Sequence, residues 1–161
     1  RGLGDVYKRQ EQEELLAQTL GAEKDEGGNY SRFDLWKKVG KGLVHFLHHI
    51  GTTSSQAYEA TAVHKELVES FTEAARWGER PPDIIVRAHR HRYFKTEIAT
   101  DRGQAQGVVL PGWQGKTPFS WKIAGGRLST PQFGGILVRQ GDREFFTLSR
   151  VWTTSRTKTV K

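Results

Sequence analysis

Two apolar runs in the sequence end directly in histidines, and a helix-length segment separates them. The runs cover residues 43–47 and 83–86. A continuous apolar run of this length is typical of a strand that is buried on both faces of a sheet. Ligands of open α/β sheets bind beyond the carboxyl ends of such strands, so both histidine clusters lie where a binding site is expected.

The intervening segment, residues 55–77, is predicted to be an amphipathic helix. Apolar residues recur in it at steps of three and four, which gives one stripe for packing on a sheet. The stripe consists of Ala60, Val63, Leu67, Phe71 and Ala74. Residues 51–55 suit a capping loop, while Gly78 and Pro81-Pro82 end the helix. The unit is therefore a strand–helix–strand crossover, which predicts two parallel strands and a right-handed connection.

The rest of the chain predicts an α/β protein with a strand-rich second half. Residues 11–20 are predicted to form a helix that places Leu15, Leu16 and Leu20 on one face, and residues 31–39 are predicted to form an edge or half-buried strand. Short β-type runs with Gly, Pro and Asp turns follow, and Gly141-Asp142 indicates a hairpin. These runs are residues 93–98, 107–110, 118–123, 134–139 and 144–152. They favour mostly antiparallel pairing.

Composition restricts the chemistry that is open to this chain. Its 161 residues include no Cys, so a metal would have to be bound by His and carboxylates. No signal peptide or membrane-length apolar run is present, and a cytoplasmic location is expected. There is also no Met, and residues 1–10 resemble a translated sequencing adapter. We therefore assign the fold to residues 11–161 and expect its natural amino terminus to be missing.

The formal net charge of +7 comes partly from basic residues near the carboxyl end. These are Arg150, Arg156, Lys158 and Lys161. They indicate either a phosphate-rich partner, such as nucleic acid, or simply a solvated basic terminus.

The six histidines differ in what their positions predict. His64 is expected to be exposed on the helix, and His45, inside a strand, to be a partnered core residue. His89 and His91 are two residues apart, and in an extended segment they would project to the same side. Converging neutral imidazoles on a rigid strand end are what a metal site requires.

A strand-ending His, a helix and then D-I-I-V-R-A-H-R-H together resemble the last two motifs of the calcineurin-like metallophosphoesterases, in particular a bacteriophage-type branch. The final family motif is G-H-x-H, and here Ala88 replaces the Gly. The preceding motif is H-x-P, in which His48 would be the ligand and Ile50 replaces the Pro. The alternative alignment, with His49 as the ligand, stays open.

The resemblance implies a β-sandwich flanked by helices, two divalent ions, and hydrolysis of a phosphomonoester or phosphodiester. His48 and His89 would bind one ion and His91 the other. Manganese or iron would be the usual metal, with zinc as an alternative. His49 would then lie next to the substrate, a phosphate ester such as a nucleotide or a nucleic acid.

The earlier family motifs, D-x-H, G-D and G-N-H, are not convincingly present. Gly4-Asp5 belongs to the adapter-like segment, Gly141-Asp142 comes too late in the chain, and Gly28-Asn29-Tyr30 is expected to be a turn. The chain is therefore predicted to be the carboxyl-terminal half of a metallophosphoesterase. It would be inactive by itself, and we assign no catalytic residue in it.

Two further features have two interpretations each. Arg90, with Arg87 and Arg92 nearby, would meet phosphate oxygens or would be solvated. Trp113 would line the cleft and stack on a base or leaving group, or would pack in the core. The whole chain would alternatively be a nucleic-acid-binding module that uses its basic tail and later aromatic residues, or a phage structural module with a vestigial metal site.

Overall fold

The computed structural model describes residues 3–51, 56–113, 115, 132–141 and 145–153. The chain divides into two units, Arg1–Leu35 and Trp36–Lys161. The first consists of a helix and a polar loop. The second contains most of the sheet and all of the candidate histidines.

In the first unit, helix α1 spans Leu3–Thr19 and so begins eight residues before the predicted start. Gly21 ends it with a positive φ of 76°, as expected of a glycine at this position. The Glu14 carboxylate accepts hydrogen bonds from the backbone N–H groups of Tyr30 and Ser31, which tie the helix to the loop and lower the pKa of Glu14.

The apolar stripe predicted for this helix does not form a core within the first unit. Leu15, Leu16 and Leu20 are all exposed. The G-N-Y segment of the following loop is a turn, as predicted. Its Asn29 N–H donates to the Asp25 carboxylate at 2.8 Å, and the Gly28 N–H donates to the Asp25 carbonyl at 3.0 Å.

A mixed five-stranded sheet forms the centre of the molecule's α/β fold. Its strands, in chain order, are β1 (Asp34–Val39), β2 (Gly42–Leu47), β3 (Ile84–Arg87), β4 (Phe94–Thr100) and β5 (Gly103–Val109). Their order across the sheet is β1-β2-β3-β5-β4. The pairs β2–β3 and β3–β5 are parallel, and β4–β5 is antiparallel. The predicted parallel pairing across the helix is confirmed.

Helix α2 (Glu59–Trp77), preceded by a 3₁₀ turn over Gln56–Tyr58, covers one face of the sheet. Val63, Leu67 and Ala74 of the predicted stripe are buried, and Phe71 packs partly against them. Ala60 is exposed instead of buried, and Ala62 takes its place at the core. Gly78 ends the helix in the left-handed conformation, as predicted.

A hairpin of β6 (Gln132–Gln140) and β7 (Phe145–Thr153) covers the opposite face. Ile136 and Val138 of β6 pack against a small core whose buried members are Val44, Ile84 and Val86. The Thr147 hydroxyl donates to the buried Gln106 side chain at 2.9 Å. The hairpin is therefore packed on the main sheet and forms part of the same core.

These layers make the chain a mixed α/β protein, as predicted. Several predictions lie outside the described residues. They concern the capping residues 52–55, the strand at 118–123, Asp142 of the hairpin turn, and the basic residues 156, 158 and 161. In the part of the chain that is described, no helix combines the length and apolar character needed to cross a bilayer.

Candidate metal centre

The candidate histidines lie at one edge of the sheet, because the carboxyl ends of parallel strands meet there. His48 and His49 follow β2, and His89 follows β3. The β2–β3 ladder continues past the strands, since the Ala88 N–H donates to the His48 carbonyl at 3.1 Å. The register of the two parallel strands therefore places His48 opposite Ala88, so that His89 is the next residue along from the partner of His48.

Three imidazole rings form a cluster at this edge. The ring centroids of His48 and His89 are 5.4 Å apart, those of His49 and His89 4.8 Å, and those of His48 and His49 5.1 Å. His48 Nε2 and His89 Nδ1 face each other at 3.4 Å. All three side chains are exposed, so an ion or a ligand can reach them.

The spacing of the two facing nitrogens suits a shared ion. Two ligands of a tetrahedral ion with bonds of about 2.0–2.1 Å lie roughly 3.3–3.4 Å apart. The same 3.4 Å also permits a weak hydrogen bond between the rings. The geometry pairs His48 Nε2 with His89 Nδ1, and no such pairing links His49 to His89 among the described contacts.

Electrostatics favour the neutral form of His89. Partial burial lowers the pKa of His89, and electrostatic interactions with His49, His48, His91 and Arg90 lower it further. Only the neutral imidazole has a free lone pair for a metal. The cluster therefore keeps His89 ready to bind an ion at neutral pH.

His91 is positioned differently from the prediction. His89 and His91 both have positive φ values, 69° and 53°, so the segment bends and is not extended. The argument that residues two apart project to one side of a strand is therefore wrong here. The ring of His91 instead lies against the backbone of Gly112, just after β5, where a Cβ would come within 2.8 Å of His91 Cγ.

The donors fit part of a metal centre and not a complete one. His48 and His89 suit one ion, whereas no group of three or more His, Asp or Glu side chains within the described residues is arranged to hold a metal. A dinuclear centre would need further ligands beside His91. His48 and His89 are therefore two of the ligands that a metal site would need.

The three arginines next to the histidines have separate roles. Arg90 is half-buried and donates a guanidinium N–H to the Gly51 carbonyl, which holds it beside the cluster. Arg92 pairs with Glu59 at 3.3 Å. Arg87, which was expected either near phosphate or in solvent, is only 2% exposed and points into the core. The prediction of Arg87 as a phosphate contact is therefore wrong.

Arg87 instead joins three elements beneath the site. Its guanidinium forms an ion pair with Glu66 of α2 and donates to the His45 carbonyl of β2 at 3.1 Å. The guanidinium also lies 3.2 Å from His45 Nδ1. The His45 ring stacks on the Trp36 ring, with the ring centroids 4.1 Å apart.

His45 is thus a partnered structural residue and His64 is exposed, both as predicted. In the sequence, the feature that indicates this structural role of Arg87 is its position as a charged residue at the end of a buried apolar run.

Trp113 does not pack in the core. Its side chain is 76% exposed, and its ring centroid lies 6.3 Å from that of Trp152 on β7. Gly112 pairs with Phe133 in an isolated parallel bridge, which fixes the chain just before the tryptophan. Trp113 is thus available to a ligand at the same edge of the sheet as the histidines.

No protein-family model, curated protein or solved structure matches the chain. Assignment to the metallophosphoesterases consequently depends on the motif residues and on the strand-end histidine cluster alone.

Proposed function

We propose that this chain supplies part of the metal centre of a metal-dependent phosphoester hydrolase of the calcineurin-like type. The observation that carries the proposal is the pair His48 Nε2 and His89 Nδ1, 3.4 Å apart at the carboxyl edge of two parallel core strands. This edge of the sheet is where open α/β sheets bind their ligands.

In this proposal His48 and His89 bind one divalent ion, and His91 contributes to a second ion only in the complete hydrolase, where further ligands are present. Manganese, iron or zinc is compatible with imidazole ligands. A divalent ion supplies Lewis acidity toward a phosphoryl oxygen. His49 contacts the phosphate ester from the end of β2, Arg90 contacts it from the end of β3, and Trp113 contacts the leaving group from the end of β5.

The proposed fold of the complete hydrolase is a β-sandwich flanked by helices, to which this chain contributes the carboxyl-terminal half. No residue of the chain is assigned as catalytic. The acidic and amide ligands of the earlier family motifs are not convincingly present in the sequence. Ester hydrolysis by this chain alone is therefore not expected, and the proposal has to be tested by binding.

A direct test is the binding of inorganic phosphate, the product of a phosphomonoesterase, in the presence and absence of Mn²⁺. Phosphate should bind the metal-loaded chain and should not bind the metal-free chain, because the ion provides the electrophile. His89→Gln should abolish the metal-dependent part, and His64→Gln, which changes an exposed histidine of α2, should not.

Phosphate binding that is the same with and without metal, or that survives His89→Gln, would contradict the proposal. Circular dichroism of both variants verifies that the sheet and the helix are intact.

A further inference from the structure

The outward face of the hairpin carries exposed rings and arginines. Because strand residues alternate between faces, alternate positions of β6 and β7 share the side away from the main sheet. Together with Trp113 these residues form what we call the aromatic face. Its members are Trp113, Phe133, Arg139, Phe146, Arg150 and Trp152.

The register of the hairpin places these side chains in pairs. Phe133 lies opposite Trp152, and Arg139 lies opposite Phe146. Between these pairs, Leu137 and Leu148 lie opposite each other and are 54% and 50% exposed. Trp152 is 54% exposed. The face therefore presents partly or fully exposed aromatic and aliphatic side chains to solvent, and Arg150 lies among them, opposite Gly135.

The charge of this face has a single sign. Arg139 and Arg150 are both exposed, and β6 and β7 contain no Asp or Glu. The whole chain is also basic, with a formal charge of +7. A polyanion is the partner that complements such a face. A purely apolar protein partner would account for the leucines but not for two arginines without a carboxylate on the same strands.

Aromatic rings interleaved with arginines on an open sheet face suit single-stranded nucleic acid. Unpaired bases stack on exposed rings, and arginines neutralise the phosphates between them. A duplex keeps its bases stacked on each other and cannot use the rings in this way. The chemistry of the face therefore distinguishes single strands from duplexes.

The aromatic face adjoins the edge of the main sheet at which the candidate histidines lie. Gly112 lies against the His91 ring on one side and pairs with Phe133 on the other, and Trp113 follows it. The Trp113 and Trp152 rings are 6.3 Å apart. Trp113 therefore connects the aromatic face to the Gly112 position that contacts His91.

We propose that the aromatic face binds single-stranded nucleic acid, with bases stacked on Trp113, Phe133 and Trp152 and phosphates bound by Arg139 and Arg150. The binding itself does not depend on a metal. That the bound strand is also the phosphodiester substrate of the histidine site rests on the proposed function above.

The test is fluorescence anisotropy of a labelled dT 15-mer in buffer containing EDTA, so that a metal site contributes nothing. Wild-type chain should bind it. Trp152→Ala should weaken binding about fivefold to 100-fold, because one stacked base is lost. Arg150→Gln should reduce the slope of log K against log salt by about 0.7. Trp152→Phe, which keeps a ring, should retain most of the affinity.

Matched controls lie on the other side of the main sheet. Trp77→Ala removes a tryptophan of α2 that is 74% exposed, and Arg76→Gln removes an exposed arginine next to it. Neither should change oligonucleotide binding. The proposal is overturned if the 15-mer fails to bind, if Trp152→Ala binds it like wild type, or if a duplex of the same length binds equally well.

Two further measurements complete the test. Trp152→Ala should sediment like wild type. If instead its sedimentation changes and its oligonucleotide affinity does not, the aromatic face is a protein contact and the proposal is overturned. Trp152→Ala should also keep the metal affinity of wild type. Failure of metal binding with intact oligonucleotide binding would contradict the hydrolase proposal alone.

Discussion

At Gly112 the backbone lies directly against the imidazole of His91. A Cβ at this position would lie 2.8 Å from both Cγ and Nδ1 of the ring, closer than carbon atoms normally approach. We therefore expect Gly112→Ala to displace the His91 ring and to shift its ¹H–¹⁵N imidazole resonances. Gly115→Ala is the matched control, because a Cβ there meets no atom within 4 Å. Unchanged His91 resonances in Gly112→Ala would show that the contact does not exist.

His89 should make the stability of the fold depend on pH. Its pKa is lowered in the folded state by partial burial and then by the charges of His49 and His48. An unperturbed histidine has a pKa of about 6.5, so above that pH His89 is neutral in both states and has no effect. As the pH falls below this value, the unfolded state binds the proton first, and stability is lost.

Urea unfolding at pH 7.5 and pH 5.5 measures this effect. Wild type should lose more free energy of unfolding between these two pH values than His89→Gln, which cannot titrate. An equal loss in the two proteins would contradict the lowered pKa.

The positions of these residues were partly predictable from the sequence. Apolar runs that end in histidines predicted imidazoles at strand ends, and the structure brings His48 and His89 together there. The bend at His89 and His91 was not predictable, because a positive φ in a residue other than Gly is imposed by surrounding structure. The contact of His91 with Gly112 joins residues far apart in the chain, which no local pattern reveals.

At the scale of elements, Arg87 links β3 to β2 and α2. Arg87→Met should lower the free energy of unfolding by about 2–3 kcal/mol, because it leaves Glu66 and the His45 carbonyl without their buried partner. Arg76→Met breaks the exposed ion pair between Arg76 and Glu73 and should lower the free energy of unfolding by less than about 1 kcal/mol. Urea unfolding of both variants measures the difference. Similar losses in the two variants would contradict the buried role of Arg87.

The elements themselves were mostly predictable, and their order in the sheet was not. Periodicity located α2 and β3 because both bury a regular apolar pattern. Strand β5 lies next to β3 and parallel to it, which separates β4 from β3 in the sheet. Pairing between distant strands depends on packing of the whole core, so a pattern within one strand cannot specify its neighbours.

At the scale of the whole molecule, the α/β architecture places two surfaces next to each other. Parallel strands β2 and β3 end at the histidine cluster. After β5, Gly112 contacts the ring of His91, and the next residue, Trp113, belongs to the aromatic face. The first surface suits an ion and a phosphate, and the second suits bases and a polyanionic backbone. Under the two proposals, one chain would combine recognition of a nucleic-acid strand with part of a metal centre.

The central claim is that His48 and His89 bind a divalent ion together, and calorimetric titration with Mn²⁺ and Zn²⁺ at pH 7.5 tests it most directly. Wild type should bind one ion per chain, since the described residues offer two converging imidazoles for one ion. His48→Gln and His89→Gln should each weaken binding at least about tenfold, as loss of a metal ligand does. His64→Gln should bind like wild type. Equal affinity in wild type, His48→Gln and His89→Gln would contradict the account.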